Sequence, residues 1–227
     1  MQISVIIPVL NEEMTIESCL IPFQNLKEVE VLVVDGGSCD RTQSLVESAG
    51  FALLLISDRV GRAFQLNKGA VNASGKILLF LHADTRLPEK WVEQVLESMS
   101  DPKVVGGRFQ LEFSEKTWVF RVIAFFSTLR SRYFGLTYGD QAIYVRNEVF
   151  KKVGGFPPLM LFEDSEFCSL VSKLGLFVML GSNVCSSTRR WRKGGIFRTI
   201  LRMWVLRLLY FCFISDLRLN RWYEQTR

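Results

Sequence analysis

Lys76-Ile77-Leu78-Leu79-Phe80-Leu81-His82-Ala83-Asp84-Thr85 is the stretch whose reading decides the fold. Apolar residues run without alternation from Ile77 to Leu81, the pattern of a strand buried on both faces. The run then stops on a carboxylate, Asp84. A carboxylate just beyond a buried parallel strand stands where open α/β sheets bind their ligands. Asp is also a favoured turn and cap residue, so Asp84 alone leaves both readings open.

Working outward, two upstream runs end in the same way. Ile3 to Pro8 reads as a first strand followed by the loop Val9-Leu10-Asn11-Glu12-Glu13, with a helix from about Glu13 to Asn25. Val29 to Val34 is a second strand ending at Asp35. Gly36-Gly37-Ser38-Cys39-Asp40-Arg41-Thr42 turns into a helix that Ser38 or Asp40 could cap. Phe51 to Ile56 is a third strand, and Gly61-Arg62-Ala63 opens a helix ending near Gly75. Strands alternating with helices over short connections are the signature of a parallel, doubly wound sheet. Asn11-Glu12, Asp35 and Asp84 then share one rim of that sheet. Neither Gly-x-Gly-x-x-Gly nor Gly-x4-Gly-Lys-[Ser/Thr] is present, so those phosphate-binding turns do not explain the rim.

After Pro102 the pattern changes. Val104 to Phe113 reads as a longer strand, Trp118 to Leu129 as an aromatic helix, and Gln141 to Val145 as a short strand. Val153 to Pro158 is a turn, and Phe162-Glu163-Asp164-Ser165-Glu166 opens a helix. Acidic residues there would also complement the helix dipole, which is a second reading of Glu163, Asp164 and Glu166. Phe177 to Leu180 and Val184 to Ser186 are short strands. A basic stretch, Arg189-Arg190-Trp191-Arg192-Lys193, precedes a long apolar helix from about Ile196.

Composition narrows the chemistry. One histidine in 227 residues rules out a multi-imidazole zinc centre, and no Gly-x-Ser-x-Gly elbow accompanies it. Five scattered cysteines without a Cys-x-x-Cys pair suggest reduced structural thiols. With no basic region ahead of the first apolar run, a cytoplasmic location is expected. Net charge is +5, but residues 189–227 hold ten basic and two acidic residues, so the remainder is net acidic. An anionic partner is expected at that tail.

The rim carboxylates, Glu163-Asp164 and the basic cluster fit chemistry that joins a divalent cation, a diphosphate and a proton acceptor. At these residues the chain resembles the family 2 glycosyltransferases of GT-A fold, inverting enzymes that use nucleotide sugars. The resemblance rests on Ser4 to Glu12, Val33-Val34-Asp35-Gly36-Gly37-Ser38, Gly61 to Ala70, Leu81-His82-Ala83-Asp84, Gly154-Gly155-Phe156 and Glu163-Asp164. It implies a mixed, mostly parallel α/β sheet with helices on both faces, in one domain over residues 1–195. Residues 196–227 would form a basic, apolar helix, either packed on that domain or lying on a membrane.

The resemblance also implies roles. Pro8, Asn11, Glu12, Asp35, Arg62 and Asn67 would bind or border the nucleotide. His82-Ala83-Asp84 matches the family's Asp-x-Asp motif, with Ala83 beside the nucleotide, Asp84 as the carboxylate for Mg²⁺ or Mn²⁺, and His82 replacing the first Asp. Asp164 matches the general base. Gly155, Glu163, Arg189, Arg190 and Trp191 would stand near the diphosphate or sugar. Asp140, in Tyr138-Gly139-Asp140-Gln141, is read first as a turn carboxylate and second as a contact to the transferred sugar.

The expected partners are a nucleotide sugar, UDP-linked for preference, and a hydroxyl acceptor. Alternatives are transfer to a polyprenyl phosphate at the inner membrane face, and a non-catalytic module whose basic tail binds lipid or nucleic acid. No zinc-finger or RNA-recognition motif supports nucleic acid, and none is expected as a partner. A spanning helix after Ile196 would carry Arg198, Arg202 and Arg207, which makes a peripheral or core-packed helix the expectation.

Overall fold

Alternation along the first strand explains how the sheet is covered. In β1 (Ile3–Val9), Ile3, Val5, Ile7 and Val9 enter one core, while Ile6 enters another on the opposite face. The computed structural model describes residues 2–212, and their elements build both layers. After β1 come α1 (Ile16–Leu20), β2 (Val29–Asp35), α2 (Thr42–Ala49), β3 (Leu53–Ile56), α3 (Arg62–Asn72) and β4 (Ile77–Phe80). Then follow β5 (Thr85–Arg86), α4 (Trp91–Ser98), β6 (Val104–Phe113), α5 (Trp118–Phe134), β7 (Ile143–Arg146) and α6 (Asn147–Val153). The last are α7 (Glu163–Ser172), β8 (Leu176–Ser186), α8 (Arg189–Gly194) and α9 (Ile196–Phe211).

The described strands form one eight-stranded sheet in the order β3-β2-β1-β4-β7-β6-β8-β5. The first four are mutually parallel, β7 runs against β4 and β6, β6 and β8 are parallel, and β5 runs against β8. This is the mixed, mostly parallel sheet expected. Val46 of α2 and Trp91 and Val95 of α4 cover one face with α1 and Phe120 and Ala124 of α5. Ala63, Leu66 and Ala70 of α3, Val149 and Phe150 of α6, and Phe167, Cys168 and Val171 of α7 cover the other.

Local departures from the sequence reading have local causes. The first helix stops at Leu20 and continues only as one 3₁₀ turn, Ile21–Phe23, where Pro22 cannot donate to an α-helical ladder. β1 runs one residue past Pro8 and pairs Val9 with Asp35. The two short strands expected near the end are one strand, β8, with a register shift against β6 between Arg108 and Gln110. α5 extends to Phe134, where Gly135 takes the left-handed conformation at φ 65° and ends the helix. Helix α6 occupies a stretch that the sequence reading left unassigned, between β7 and the turn that begins at Val153.

Four phenylalanines fasten α7 to the sheet. Phe167 is fully buried, stacks on Phe156 at 4.1 Å between ring centres, and meets Phe80 edge-on at 6.1 Å. Phe150 closes the group. Phe167→Ala should therefore lower unfolding free energy by roughly 3–5 kcal/mol, read from urea or guanidinium midpoints. A loss well under 1 kcal/mol would show that the cluster does not hold the helix.

Candidate functional site at the C-terminal edge of the sheet

β1, β2 and β4 point the same way, so the loops that follow them share one edge. The first two loops are laced by their own polar side chains. Asn11 N–H donates to Ser38 Oγ at 2.8 Å, Cys39 N–H donates to Asn11 Oδ1 at 2.8 Å, and Glu12 N–H donates to Thr42 Oγ1 at 2.8 Å. Asn11 has φ 54°, a left-handed conformation that Asn tolerates better than most residues. Asp40 accepts the Thr42 amide at 3.0 Å, whereas Ser38 turns back to Asp35 instead of capping the helix.

Asp35 is buried and fully engaged by its loop. Its carboxylate accepts from Gly37 N–H at 3.0 Å, Ser38 N–H at 2.9 Å, Gln43 Nε2 at 2.7 Å and the Ser38 hydroxyl. Burial alone would raise its pKa, but the Ser38, Gln43 and Gly37 hydrogen bonds prevail and hold the carboxyl below its ordinary value. Beneath this loop, Gln65 donates to Val9 O and Val34 O, both at 2.8 Å.

Glu12 Oε2 accepts from Thr15 Oγ1 at 2.7 Å and pairs with Arg189 Nη2 at 2.7 Å. The ion pair brings the basic C-terminal segment onto the first loop. Asp84 and Ala83 line an adjoining cleft of about 210 Å³ with Thr15, Ser18, Cys19 and Arg86. Burial, followed by the Asp84 and Glu12 carboxylates, pushes the Cys19 thiol up to about 12.

A second cluster meets the same edge. Arg62, in the first turn of α3, donates its Nε–H to Glu163 Oε1 and lies 3.6 Å from Asp164 Oδ2. Its Nη1 is 3.4 Å from His82 Nε2. Asp164 Oδ2 also accepts Gly139 N–H at 2.7 Å, and Oδ1 accepts Ser165 N–H at 2.7 Å. A Cβ on Gly139 would lie 2.7 Å from His82 Nε2 and 3.4 Å from Asp164 Oδ2, so only glycine lets these groups meet. Glu163 is 1% exposed, and its Oε2 has no hydrogen-bond partner among the described residues. Burial raises its pKa, Arg62 opposes the rise, and the Asp164 charge adds to it.

The backbone at this point is held in an uncommon shape. Phe162, immediately before Glu163, has φ 65°, which is costly for a bulky side chain. Packing holds it there: Tyr210 lies 5.1 Å away ring to ring, and the Arg207 guanidinium stacks on its ring at 4.8 Å. Arg207 Nη2 also donates to Ser165 Oγ at 3.2 Å. Thus α9 braces the turn that presents Asp164.

The edge gathers Asn11, Glu12, Asp35, Arg189, Ala83 and Asp84, and it joins Arg62, His82, Glu163 and Asp164. Pro8 is half-buried in β1 opposite Val34. Asn67 and Gly155 are brought to each other instead: the Asn67 amide bonds both Phe156 N–H at 2.8 Å and Phe156 O at 2.9 Å, with Gly155 packed against it. Trp191 turns inward, its ring 5.7 Å from Phe113 and 6.5 Å from Phe120. Asp140 is half-buried beside Gly139 and near Tyr138, whose phenol burial pushes up. The Arg190 side chain lies outside the described residues, as do residues 213–227. Gln65, Gly139 and Phe162 were not singled out from the sequence. Gln65 had a signal, being a polar residue on the buried stripe of α3.

Among the described residues no group of three His, Cys, Asp or Glu side chains is placed to hold a metal. Asp84 offers a single carboxylate with His82 two residues before it. That donor set fits Mg²⁺ or Mn²⁺ only when substrate phosphates complete the coordination.

Comparisons with known proteins identify the family and the fold. Residues 4–154 match the sequence profile described as Glycosyl transferase family 2. Glycosyltransferase AglE of Haloferax volcanii is 30% identical over 172 residues, covering 68% of this chain and 56% of AglE. The mannosyltransferase PcManGT from Pyrobaculum calidifontis, solved with GDP-Man and Mn²⁺, superposes with a TM-score of 0.69 at 24% identity, over 82% of this chain and 56% of its own. S. aureus TarS residues 1–349 with UDP-GlcNAc superpose with a TM-score of 0.67 at 18% identity, over 82% and 58%. The chain therefore spans little more than half the length of these proteins. The two structures share the GT-A fold with it.

Asp35→Asn should lower stability at neutral pH by about 1–3 kcal/mol, because a buried acceptor of several donors is lost. The folded carboxyl lies below its unfolded value of about 3.9, so its contribution is full above that pH and fades as pH falls through the folded pKa. Urea midpoints of parent and variant should draw together as pH is lowered progressively below about 3.9. A gap that stays constant with pH would contradict this.

Proposed function

The chain belongs to glycosyl transferase family 2, and on that premise we propose that it moves one sugar, with inversion, from a nucleoside diphosphate sugar to an acceptor hydroxyl. The observation that carries the reading is Asp164, a carboxylate 5% exposed, aimed by Gly139 N–H and the first turn of α7, with Arg62 alongside. A weakly nucleophilic hydroxyl needs its proton removed as it attacks, and Asp164 is the group assigned to take it. The acceptor oxygen bonds to the sugar C1 on one face. The C1–oxygen bond to the diphosphate breaks on the other, and the diphosphate leaves with the electron pair.

Asp84 is the residue that would hold a divalent cation, and a bound Mg²⁺ or Mn²⁺ would neutralise charge developing on that leaving group. Arg62 and Arg189 add fixed positive charge beside it. Asn11, Glu12 and the Asp35 loop shape the nucleoside pocket. A UDP-sugar is the preferred substrate, as in the TarS complex with UDP-GlcNAc, while PcManGT was solved with GDP-Man. His82 stands in for the first carboxylate of the cation motif. A neutral imidazole supplies no negative charge, so cation affinity rests on Asp84 and the diphosphate.

Asp164→Asn and Asp84→Asn separate the two roles. Asp164→Asn should bind UDP with Mn²⁺ nearly as the parent does, while transfer falls by about 10²–10⁴-fold. Asp84→Asn should lose cation-dependent UDP binding and transfer together. Calorimetry and a transfer assay over a panel of nucleotide sugars read both. Near-parental transfer by folded Asp164→Asn would remove it as the base and leave it as a helix-start carboxylate.

A further inference from the structure

Two helices on this chain show solvent a face that a stable core would bury. On α9, Phe197, Leu201, Trp204 and Leu208 are exposed, with Trp204 at 72%. At 3.6 residues per turn these four fall within about 60° of one another on the helix. Its opposite side holds buried Leu206, with Met203, Leu209 and Tyr210 packed around Phe162. On α5, Trp118, Val122, Phe125, Phe126 and Tyr133 are exposed, with Trp118 at 74%. Phe120 and Ala124 take that helix's buried side.

The two helices are joined at both ends. Ile196 packs into the core that holds Phe120 and Trp191. At the other end, Arg130 stacks on Tyr138 at 4.0 Å, and Tyr138 lies 6.4 Å from Phe162, the residue that α9 braces.

Charge identifies the partner. α5 and α9 carry three arginines each and no acidic residue, although residues 1–188 are net acidic. Arg121, Arg132 and Arg198 are exposed beside the two stripes. None of these three is in an ion pair among the described residues. Aromatic and aliphatic residues flanked by arginine are what an interfacial helix offers: rings enter the headgroup boundary while guanidinium groups meet lipid phosphate. No helix among the described residues is long and apolar enough to cross a membrane. Both helices carry charge of one sign only, which matches lipid phosphate.

We propose that α5 and α9 seat the chain on the surface of an anionic membrane, lying in the interface without spanning it. This goes beyond glycosyl transfer and does not depend on it. Because α9 also braces the turn before Asp164, docking brings the candidate site beside molecules held at that surface.

The test is flotation with vesicles of phosphatidylcholine containing about one-third phosphatidylglycerol, against phosphatidylcholine alone, with no nucleotide sugar present. The full chain should float with the anionic vesicles at low salt. Recovery should fall several-fold near 0.5 M salt, roughly, where screening acts within about 5 Å. Trp118→Ser/Trp204→Ser and Arg121→Ala/Arg198→Ala alter only exposed side chains. Both should keep the parental melting temperature and lose at least tenfold in the vesicle-bound to free ratio. No flotation of the parent at low salt, or equal flotation by both folded double variants, would overturn the proposal. So would a self-associated parent that sediments as a dimer, stays off the vesicles, and becomes monomeric in the tryptophan variant. Cleavage of the nucleotide sugar, measured without vesicles, reports on the transferase reading separately.

Discussion

One guanidinium ties the site together. Arg62 leaves the first turn of α3, bonds Glu163 and stands beside Asp164 and His82. Arg62 and these partners come from three segments that meet only when the parallel half of the sheet and α7 are both in place. A single positive charge faces two buried carboxylates there. Burial and the Asp164 charge raise the pKa of Glu163, and Arg62 opposes the rise. Asp164 is held by backbone N–H groups and the first turn of α7. Glu163 is thus the direct hydrogen-bond partner of Arg62, and Asp164 is the carboxylate proposed as the base.

The rest of the edge follows from strand ends. Asp35 spends its acceptors on its own loop, which fixes where Asn11 and Glu12 stand. Its part in any nucleotide pocket is to hold that shape. Glu12 then captures Arg189 from the C-terminal segment. α9 continues from there to brace Phe162 in its left-handed conformation. Through these contacts the segment from Arg189 to Tyr210 is tied to the candidate edge.

Much of the fold was legible because its signals are local. The apolar runs at Ile3–Val9, Val29–Asp35 and Ile77–Phe80 mark doubly buried strands, and each is followed by polar residues on one edge. The elements misread or passed over were those set by tertiary context. The bulged register of β8 depends on its partner β6, and α6 depends on the phenylalanine cluster that buries it. At the site, the residue types at Asp84, Asp164 and Arg62 stood out. Their pairings did not, because Arg62 and Glu163 lie 101 positions apart. Gly139 was hidden for a different reason: its contribution is the absence of a Cβ, and nothing in Tyr138-Gly139-Asp140 says what that gap admits. The resemblance set Trp191 near the diphosphate, and its ring packs against Phe113 and Phe120.

A crystal structure of the chain with Mn²⁺ and an unreactive UDP-sugar tests the central claim most directly. The account expects the cation about 2.0–2.2 Å from an Asp84 oxygen and bridged to the diphosphate, with the sugar C1 open toward Asp164. An acceptor hydroxyl placed there would lie about 2.6–3.2 Å from the Asp164 carboxylate. A diphosphate bound away from Asp84, or a sugar whose open face is turned from Asp164, would contradict it.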